Sequence, residues 1–165
     1  MKNLAAENTN TSLLTLNELL EAVCGSVVGN FDSSLFSFKS VVTDSRGVVP
    51  GSLFVPLIGE FQDGHKYIPQ ALEKGASVVF VARCAFEKSS EEFKKLAENN
   101  PKTAFILVEN TLYALQKAAG RYVEKFPDLI RVSVTGSSGK TTTKEIAASV
   151  LSEKYNVVCN KGNLN

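Results

Sequence analysis

The sequence predicts an α/β fold, in which a small domain with a mixed sheet is followed by the first part of a second α/β domain. Short apolar, β-branched runs that predict strands alternate with segments of helical spacing, as at residues 67–82. A glycine-rich stretch at residues 135–143 lies between a further predicted strand and a further predicted helix. A length of 165 residues suits one domain plus part of another.

The composition is that of a globular protein, with 44% hydrophobic and 21% charged residues. The net charge of +1 argues against a basic nucleic-acid-binding surface, and the apolar runs are too short to cross a bilayer. Residues 1–12 contain no apolar core of a signal peptide, so we expect a flexible leader over residues 1–14 and a cytoplasmic protein. The three cysteines form no Cys-x-x-Cys pair, which argues against a disulfide framework or a cysteine metal site.

The first domain is predicted over residues 15–108 and begins with a helix. Thr15 and Glu18 have the spacing of a capping box, in which each side chain accepts from the other's backbone N–H, and Gly25 is placed to end the helix. The predicted helices lie at residues 16–23, 67–74 and 87–99. The predicted strands lie at residues 27–28, 36–42, 53–57, 76–82 and 104–108. The strand, helix, Gly75 and strand in succession predict a sheet that is at least partly parallel.

Polar residues follow the predicted strand that ends at Val42. Asp44, Ser45 and Arg46 place an acceptor, a hydroxyl and a guanidinium at the edge where open α/β sheets bind ligands, and a guanidinium can bind a diphosphate through two hydrogen bonds. From the residues alone, a solvated turn with a local side-chain hydrogen bond explains Asp-Ser-Arg equally well. His65 is the only histidine; without a partner in view, we expect it at a helix start or on the surface.

The glycine-rich stretch has the features of a phosphate-binding loop. It follows residues 130–134, which are β-branched and apolar apart from Arg131 and Ser133, and it precedes apolar residues at helical spacing. Backbone N–H groups in such a turn, together with the helix N-terminus, favour bound phosphate. The general pattern has a further glycine where this chain has Val134, so the loop is a shortened form. The residues predicted to bind the nucleotide are Gly136, Ser137, Ser138, Gly139, Lys140, Thr141 and Thr142.

Two residues of this loop are predicted to take part in the chemistry. Lys140 is expected to contact the β- and γ-phosphates, and the Thr141 hydroxyl to bind Mg²⁺. The alternative is an ordinary Gly/Ser turn with a solvated lysine, but the strand, loop and helix follow the order that phosphate binding requires. The second domain is predicted over residues 109–165, with a helix at 112–126 and a last strand at 156–159. One strand, helix and strand cannot cover a parallel sheet, so we expect this domain to be incomplete.

Together, these two regions resemble the Mur ligase family, the ATP-dependent amide-forming enzymes of peptidoglycan assembly. The resemblance extends from Leu14 onward and includes the shortened loop. Its motifs in the first domain are Asp44-Ser45-Arg46, Pro50-Gly51-x-Leu53-Phe54-Val55, Gly59-Glu60, Asp63-Gly64-His65 and Gly75-Ala76. Two further segments resemble the branch of the family that adds D-alanyl-D-alanine, namely Gly136-Ser137-Ser138-Gly139 with Lys144-Glu145 and the tail Gly162-Asn163-Leu164-Asn165.

The resemblance implies a three-domain, cytoplasmic enzyme that uses ATP and Mg²⁺. Its first domain would hold the UDP end of UDP-N-acetylmuramoyl-tripeptide, and its central domain would transfer the γ-phosphate to the peptide carboxylate. The amine of D-alanyl-D-alanine would then attack the acyl phosphate. The resemblance assigns substrate binding to Asp44, Ser45, Arg46, His65, Asn163 and Asn165. It implies a monomer with neither a nucleic-acid partner nor membrane insertion.

Three other interpretations stay open at the level of sequence. The chain could derive from the branch that adds the third peptide residue, or from a truncated, non-catalytic paralogue that binds the UDP-sugar. An unrelated P-loop kinase would leave residues 44–65 unexplained. Because the metal ligands downstream of the loop, the adenine site and the C-terminal domain are missing from the sequence, we expect the 165-residue chain alone not to catalyse ligation.

Overall fold

The computed structural model describes residues 12–160. The chain divides into two compact units, Met1–Pro127 and Asp128–Asn165. Most of the leader predicted over residues 1–14 lies outside the described residues, as do two predicted substrate-binding residues, Asn163 and Asn165.

The first unit is built on a five-stranded mixed sheet. Its strands in chain order are β1 (Ser26–Val28), β2 (Ser40–Val42), β3 (Ser52–Phe54), β4 (Ala76–Ala82) and β5 (Ala104–Val108). Their order across the sheet is β1-β5-β4-β3-β2. Strands β2 to β5 run parallel to their neighbours, whereas β1 pairs antiparallel with β5. The predicted mixed sheet is therefore confirmed, and the bounds of β4 and β5 match those predicted.

Helices cover both faces of this sheet. On one face, α1 (Leu16–Val23) packs against α5 (Thr111–Val123); the other face carries α2 (Ile68–Glu73), α3 (Arg83–Lys88) and α4 (Ser90–Asn99). In β4, Val78 and Phe80 join the core under α1 and α5, and Val79 and Val81 join the opposite core. The continuous apolar run of β4 is explained by this burial on both faces.

The local signals around α1 act largely as predicted. The Thr15 N–H donates to Glu18 Oε2 at 2.7 Å, and the Glu18 N–H donates to Thr15 Oγ1 at 3.3 Å, which completes the capping box. The left-handed residue at the end of α1 is Cys24, with φ 50°, rather than Gly25 as predicted. A Cβ at Gly25 would lie 2.9 Å from a side-chain carbon of Ile106, so close packing against β5 accounts for the glycine.

Three predicted elements have different bounds in the structure. The strand predicted over residues 36–42 pairs only over Ser40–Val42, and a 3₁₀ turn at Ser33–Leu35 precedes it. The strand predicted over residues 53–57 ends at Phe54, since Pro56 has no N–H to donate to a sheet. The helix predicted over residues 87–99 is two helices, α3 and α4, because Ser89 between them is non-helical (φ −144°, ψ 43°).

Helix α5 belongs to the first unit. The Thr111 hydroxyl donates to the Pro56 carbonyl at 2.6 Å, and Lys125, just after α5, forms a 2.9 Å ion pair with Glu18 of α1. The first unit thus extends to Pro127, whereas the sequence placed the boundary after residue 108. An amphipathic pattern predicts the helix but does not say which sheet the helix covers.

The described part of the second unit contains one helix, α6 (Lys140–Ser152), which has no buried residue. The strands predicted over residues 130–134 and 156–159 are wrong for the described residues, since neither segment pairs with a strand there. The backbone polar groups of a strand need a neighbour to pair with. The apolar side chains of Ile130 and Val132 are accordingly 78% and 66% exposed.

Candidate functional site

A pocket of about 640 Å³ opens in the first unit, at the carboxyl ends of β2 and β3. This is the edge at which open parallel sheets bind ligands. The predicted residues Asp44, Ser45 and Arg46 line it. Three residues that the sequence did not single out line it as well, namely Gln62, Tyr67 and Gln70.

Asp44 and Arg46 form a tight pair at the rim of the pocket. The Asp44 carboxylate accepts from the Arg46 N–H at 2.9 Å, from its Nε at 3.0 Å and from its Nη2 at 2.6 Å. Hydrogen bonds from the Arg46 side chain, and then from its backbone, lower the pKa of Asp44 to about 2, and Asp44 in turn raises the pKa of Arg46. Both groups are therefore charged at neutral pH. The Arg46 side chain is 84% exposed, so its guanidinium remains accessible to an anion.

Ser45 connects this turn to helix α2. It is buried, at 5% exposure, and its hydroxyl donates to Gln70 Oε1 at 2.6 Å. The side chain of Gln70 is thereby held at the wall of the pocket. No local pattern predicts this contact, because it joins residues 25 positions apart.

The turn between β3 and α2 forms the opposite wall. The Gly59 N–H donates to the Gln62 carbonyl at 2.9 Å, and the Tyr67 hydroxyl donates to Gln62 Oε1 at 3.0 Å. At Gly64 the turn packs directly on Leu57, where a Cβ would lie 2.8 Å from both the backbone N and the backbone O. Only glycine fits this approach without a backbone shift.

His65 lies behind this wall and does not line the pocket. It is 7% exposed; its Nδ1 lies 2.5 Å from Asp63 Oδ1, and its Nε2 accepts from the Ala82 N–H at 2.9 Å. Because Nε2 is an acceptor, the ring carries its proton on Nδ1 and donates it to Asp63. Both ring nitrogens are engaged with protein groups, so His65 ties the turn to the end of β4. This placement favours a positioning role over the predicted contact with substrate.

Two lysines add positive charge near the pocket. Lys74 donates from Nζ to the Arg46 carbonyl at 2.9 Å, and Lys66 Nζ lies 5.0 Å from the centre of the Tyr67 ring. Both lysines contact lining residues, whereas Arg46 itself lines the pocket beside Asp44 and several hydroxyl and amide side chains. Such a combination suits a ligand that carries both a polar ring and a diphosphate.

In the second unit, the seven predicted nucleotide-binding residues lie in one loop and the first turn of α6. Gly136 (φ 154°) and Gly139 (φ 76°) have backbone angles that favour glycine, and Gly139 is the N-cap of α6. Lys140 Nζ donates to the Gly136 carbonyl at 2.7 Å, which folds the lysine back over the loop. The loop thus leads directly into the N-terminus of a 13-residue helix, and its binding of phosphate stays a prediction.

Residues 12–160 contain neither a cluster of metal-binding side chains nor a membrane-spanning helix. No group of three or more His, Cys, Asp or Glu side chains there could hold a metal ion. No helix in that range is long and apolar enough to cross a membrane.

Comparison with known proteins supports the family resemblance. A family profile described as "Mur ligase family, catalytic domain" matches residues 37–123. The chain is 43% identical over 153 residues to the UDP-N-acetylmuramoyl-tripeptide–D-alanyl-D-alanine ligase of Treponema pallidum, a match that covers 93% of this chain and 32% of the relative. The chain spans about a third of the length of the curated relatives it matches.

Solved structures give the same result. A crystal structure of MurF from Acinetobacter baumannii matches with a TM-score of 0.72 and 30% identity, over 92% of this chain and 30% of that one. MurF from Thermotoga maritima, solved in complex with ADP, matches with a TM-score of 0.58 and 34% identity, over 77% of this chain and 26% of that one. With the family profile matching more than half of its residues, the chain belongs to the Mur ligase family.

Proposed function

We propose that this chain supplies the UDP-binding unit and the phosphate loop of a ligase that joins D-alanyl-D-alanine to UDP-N-acetylmuramoyl-tripeptide. The observation that carries the proposal is the presence of two distinct sites suited to phosphate, one in each unit. One is the pocket lined by Arg46, next to which Lys74 lies, and the other is the glycine loop ahead of α6. The 43% identity to a ligase of this name in Treponema pallidum supports the choice of substrates.

In the first unit, we assign the UDP end of the substrate to the pocket. Arg46 is accessible for two hydrogen bonds to a diphosphate, while Asp44 fixes the direction of its guanidinium. Ser45 holds Gln70 at one wall of the pocket through a hydrogen bond, and His65 holds the turn that forms the opposite wall. For Asn163 and Asn165, contact with substrate is proposed from the resemblance alone.

In the second unit, we assign ATP and Mg²⁺ to the loop of residues 136–142. The residues present fit a nucleotide, because both glycines leave the loop backbone uncovered and the helix N-terminus follows directly. ATP, when bound, supplies the γ-phosphate that activates the peptide carboxylate. Lys140 would turn from the Gly136 carbonyl to neutralise phosphate charge, and the Thr141 hydroxyl would be a ligand of the metal ion. Such a ligase acts in the cytoplasm, where ATP is available.

Calorimetry on the full 165-residue chain tests the first assignment. We expect saturable binding of UDP-N-acetylmuramoyl-tripeptide, weakened about tenfold or more by Arg46→Ala, since a charged hydrogen bond contributes about 1.5–3 kcal/mol. Arg121→Ala is a matched control, because Arg121 of α5 pairs with Glu124 just after that helix and does not line the pocket. Equal weakening in both variants, or no binding by the unaltered chain, would contradict the assignment.

The second assignment is tested in a longer protein that carries this chain within a complete ligase. There we expect Lys140→Ala to abolish most ATP-dependent release of phosphate in the presence of both substrates, because charge neutralisation is central to phosphoryl transfer. Lys154→Ala, at an exposed lysine near the end of α6 whose Nζ lies 5.4 Å from the centre of the Tyr155 ring, is the control. Unchanged turnover in Lys140→Ala would remove the loop from the mechanism.

A further inference from the structure

Lys74, at the end of helix α2, is tied to the backbone of the turn that carries Arg46. It is the C-cap residue of α2, and its Nζ donates to the Arg46 carbonyl at 2.9 Å. A 3₁₀ turn would satisfy this carbonyl with the N–H three residues on, but the Val49 N–H donates to Ser52 Oγ at 3.1 Å instead. The ammonium group thus supplies a donor that the local backbone gives to another acceptor.

A second contact ties the same turn to α2. The hydroxyl of the buried Ser45 donates to Gln70 Oε1 at 2.6 Å. The Lys74 N–H donates to the Gln70 carbonyl at 3.3 Å, so the two residues lie four positions apart in helical geometry and face the same side. Contacts from one side of α2 therefore hold two consecutive residues of the turn, Ser45 and Arg46.

Lys74 also acts on the carboxylate that orients the Arg46 side chain. Hydrogen bonds from Arg46 and, in smaller part, the charge of Lys74 lower the pKa of Asp44 to about 2, which keeps the pair ionised. The Arg46 side chain is 84% exposed, and ordering such a side chain on binding costs affinity unless the protein holds it beforehand. Lys74 itself does not line the pocket, so its influence on a ligand passes through Arg46.

We propose that Lys74 is a positioning residue of the pocket, which holds the backbone of Arg46 so that the guanidinium is placed for the diphosphate of the ligand. The inference rests on the proposed function, in which the pocket takes the UDP end of the substrate. It assigns a role in binding to a lysine outside the Asp44-Ser45-Arg46 motif, 28 positions further along the chain. A fixed backbone leaves fewer torsions to be ordered when the anion binds, and the ligand is held more tightly as a result.

The test is a double-mutant cycle, in which calorimetry gives the dissociation constant of UDP-N-acetylmuramoyl-tripeptide for the full chain, Lys74→Met, Arg46→Ala and the double variant. Methionine keeps an unbranched side chain and removes the charge and the donors. Lys74→Met alone should weaken binding about three- to tenfold, the range of one lost hydrogen bond. In the Arg46→Ala background the same replacement should weaken binding by less than about twofold, because a residue that acts through Arg46 loses its effect with that side chain.

Lys117→Met is the matched control, since it removes the same charge from a lysine of α5 that does not line the pocket, and it should bind like the unaltered chain. Lys74→Arg keeps the charge and the donors and should bind within about twofold of the unaltered chain. Should binding by Arg46→Ala be too weak to measure, the comparison of Lys74→Arg with Lys74→Met carries the test.

Four results would overturn the inference and leave the proposed function standing. They are unchanged binding in Lys74→Met, equal weakening in Lys74→Met and Lys117→Met, a loss in Lys74→Arg as large as in Lys74→Met, and the full effect of Lys74→Met retained in the Arg46→Ala background. Absence of binding by the unaltered chain would overturn both the inference and the proposed function.

Discussion

Replacement of His65 by alanine should destabilise the first unit rather than remove a contact with substrate. The ring accepts from the Ala82 N–H at 2.9 Å in a buried position, and a buried donor left without a partner costs about 1–3 kcal/mol. The ring also packs edge-on against Phe93, with centroids 6.2 Å apart, and such a pair contributes about 0.5–1.5 kcal/mol. We therefore expect His65→Ala to lower the free energy of unfolding by about 2–4 kcal/mol.

Two measurements test this loss of stability in His65→Ala. Thermal unfolding monitored by circular dichroism should show a fall in Tm of about 5–15 °C, at roughly 2–4 °C per kcal/mol for a chain of this size. Hydrogen exchange should show the Ala82 amide losing protection more than amides in the middle of β4. Asp63→Asn is the control, because the replacement amide oxygen still accepts from His65, and its cost should be about 1 kcal/mol. An unchanged Tm in His65→Ala with loss of UDP-ligand binding would show that the ring serves the ligand instead.

Three further predictions concern pH, packing and dynamics. Hydrogen bonds from the Thr15 backbone and then from Lys125 lower the pKa of Glu18 from 4.5 to about 2. The Glu18 carboxylate therefore stabilises the fold above pH 4.5, and this stabilisation is lost as the pH falls towards 2. The free energy of unfolding of Glu18→Gln should depend less on pH in that window, and equal pH slopes for the variant and the unaltered chain would contradict the assignment. Gly64→Ala should lower the free energy of unfolding by about 1–3 kcal/mol and weaken UDP-ligand binding, whereas Gly47→Ala, where a Cβ meets nothing within 4 Å, should do neither. Amides of α6, a helix without buried residues, should exchange faster than those of β4, and equal protection would refute this.

The sequence predicted best those elements whose signals are local. Strand β4 has its predicted bounds because its apolar residues are contiguous and Gly75 directly precedes them. The capping box at Thr15 and Glu18 forms because all its atoms lie within four residues. The helix that follows the glycine-rich stretch was predicted for the same reason, and it begins at Lys140.

Other features depend on contacts that no local pattern encodes. The antiparallel pairing of β1 depends on β5, about eighty residues away along the chain. The apolar run at residues 130–134 has the residues of a strand but, among the described residues, no strand to pair with. The hydrogen bond of His65 to the Ala82 N–H joins residues 17 positions apart, so no local pattern could predict that the ring ties the turn to β4.

The candidate site was predicted only in part, because some of its residues follow a strand directly and others reach the pocket only through the fold. Asp44 and Arg46 were found because ligands bind where parallel strands end. Gln62, Tyr67 and Gln70 were missed, since an isolated glutamine or tyrosine carries no signal until the fold places it at a pocket wall.

The central claim is that the pocket after β2 and β3 holds the UDP end of a UDP-muramoyl peptide. Its most direct test is an NMR titration of the isotope-labelled 165-residue chain with UDP-N-acetylmuramoyl-tripeptide, with backbone amides assigned. We predict saturable chemical-shift changes concentrated at residues 43–46 and 59–70, with little change at residues 136–142 of the phosphate loop. Changes absent throughout, or concentrated away from residues 43–70, would contradict the claim.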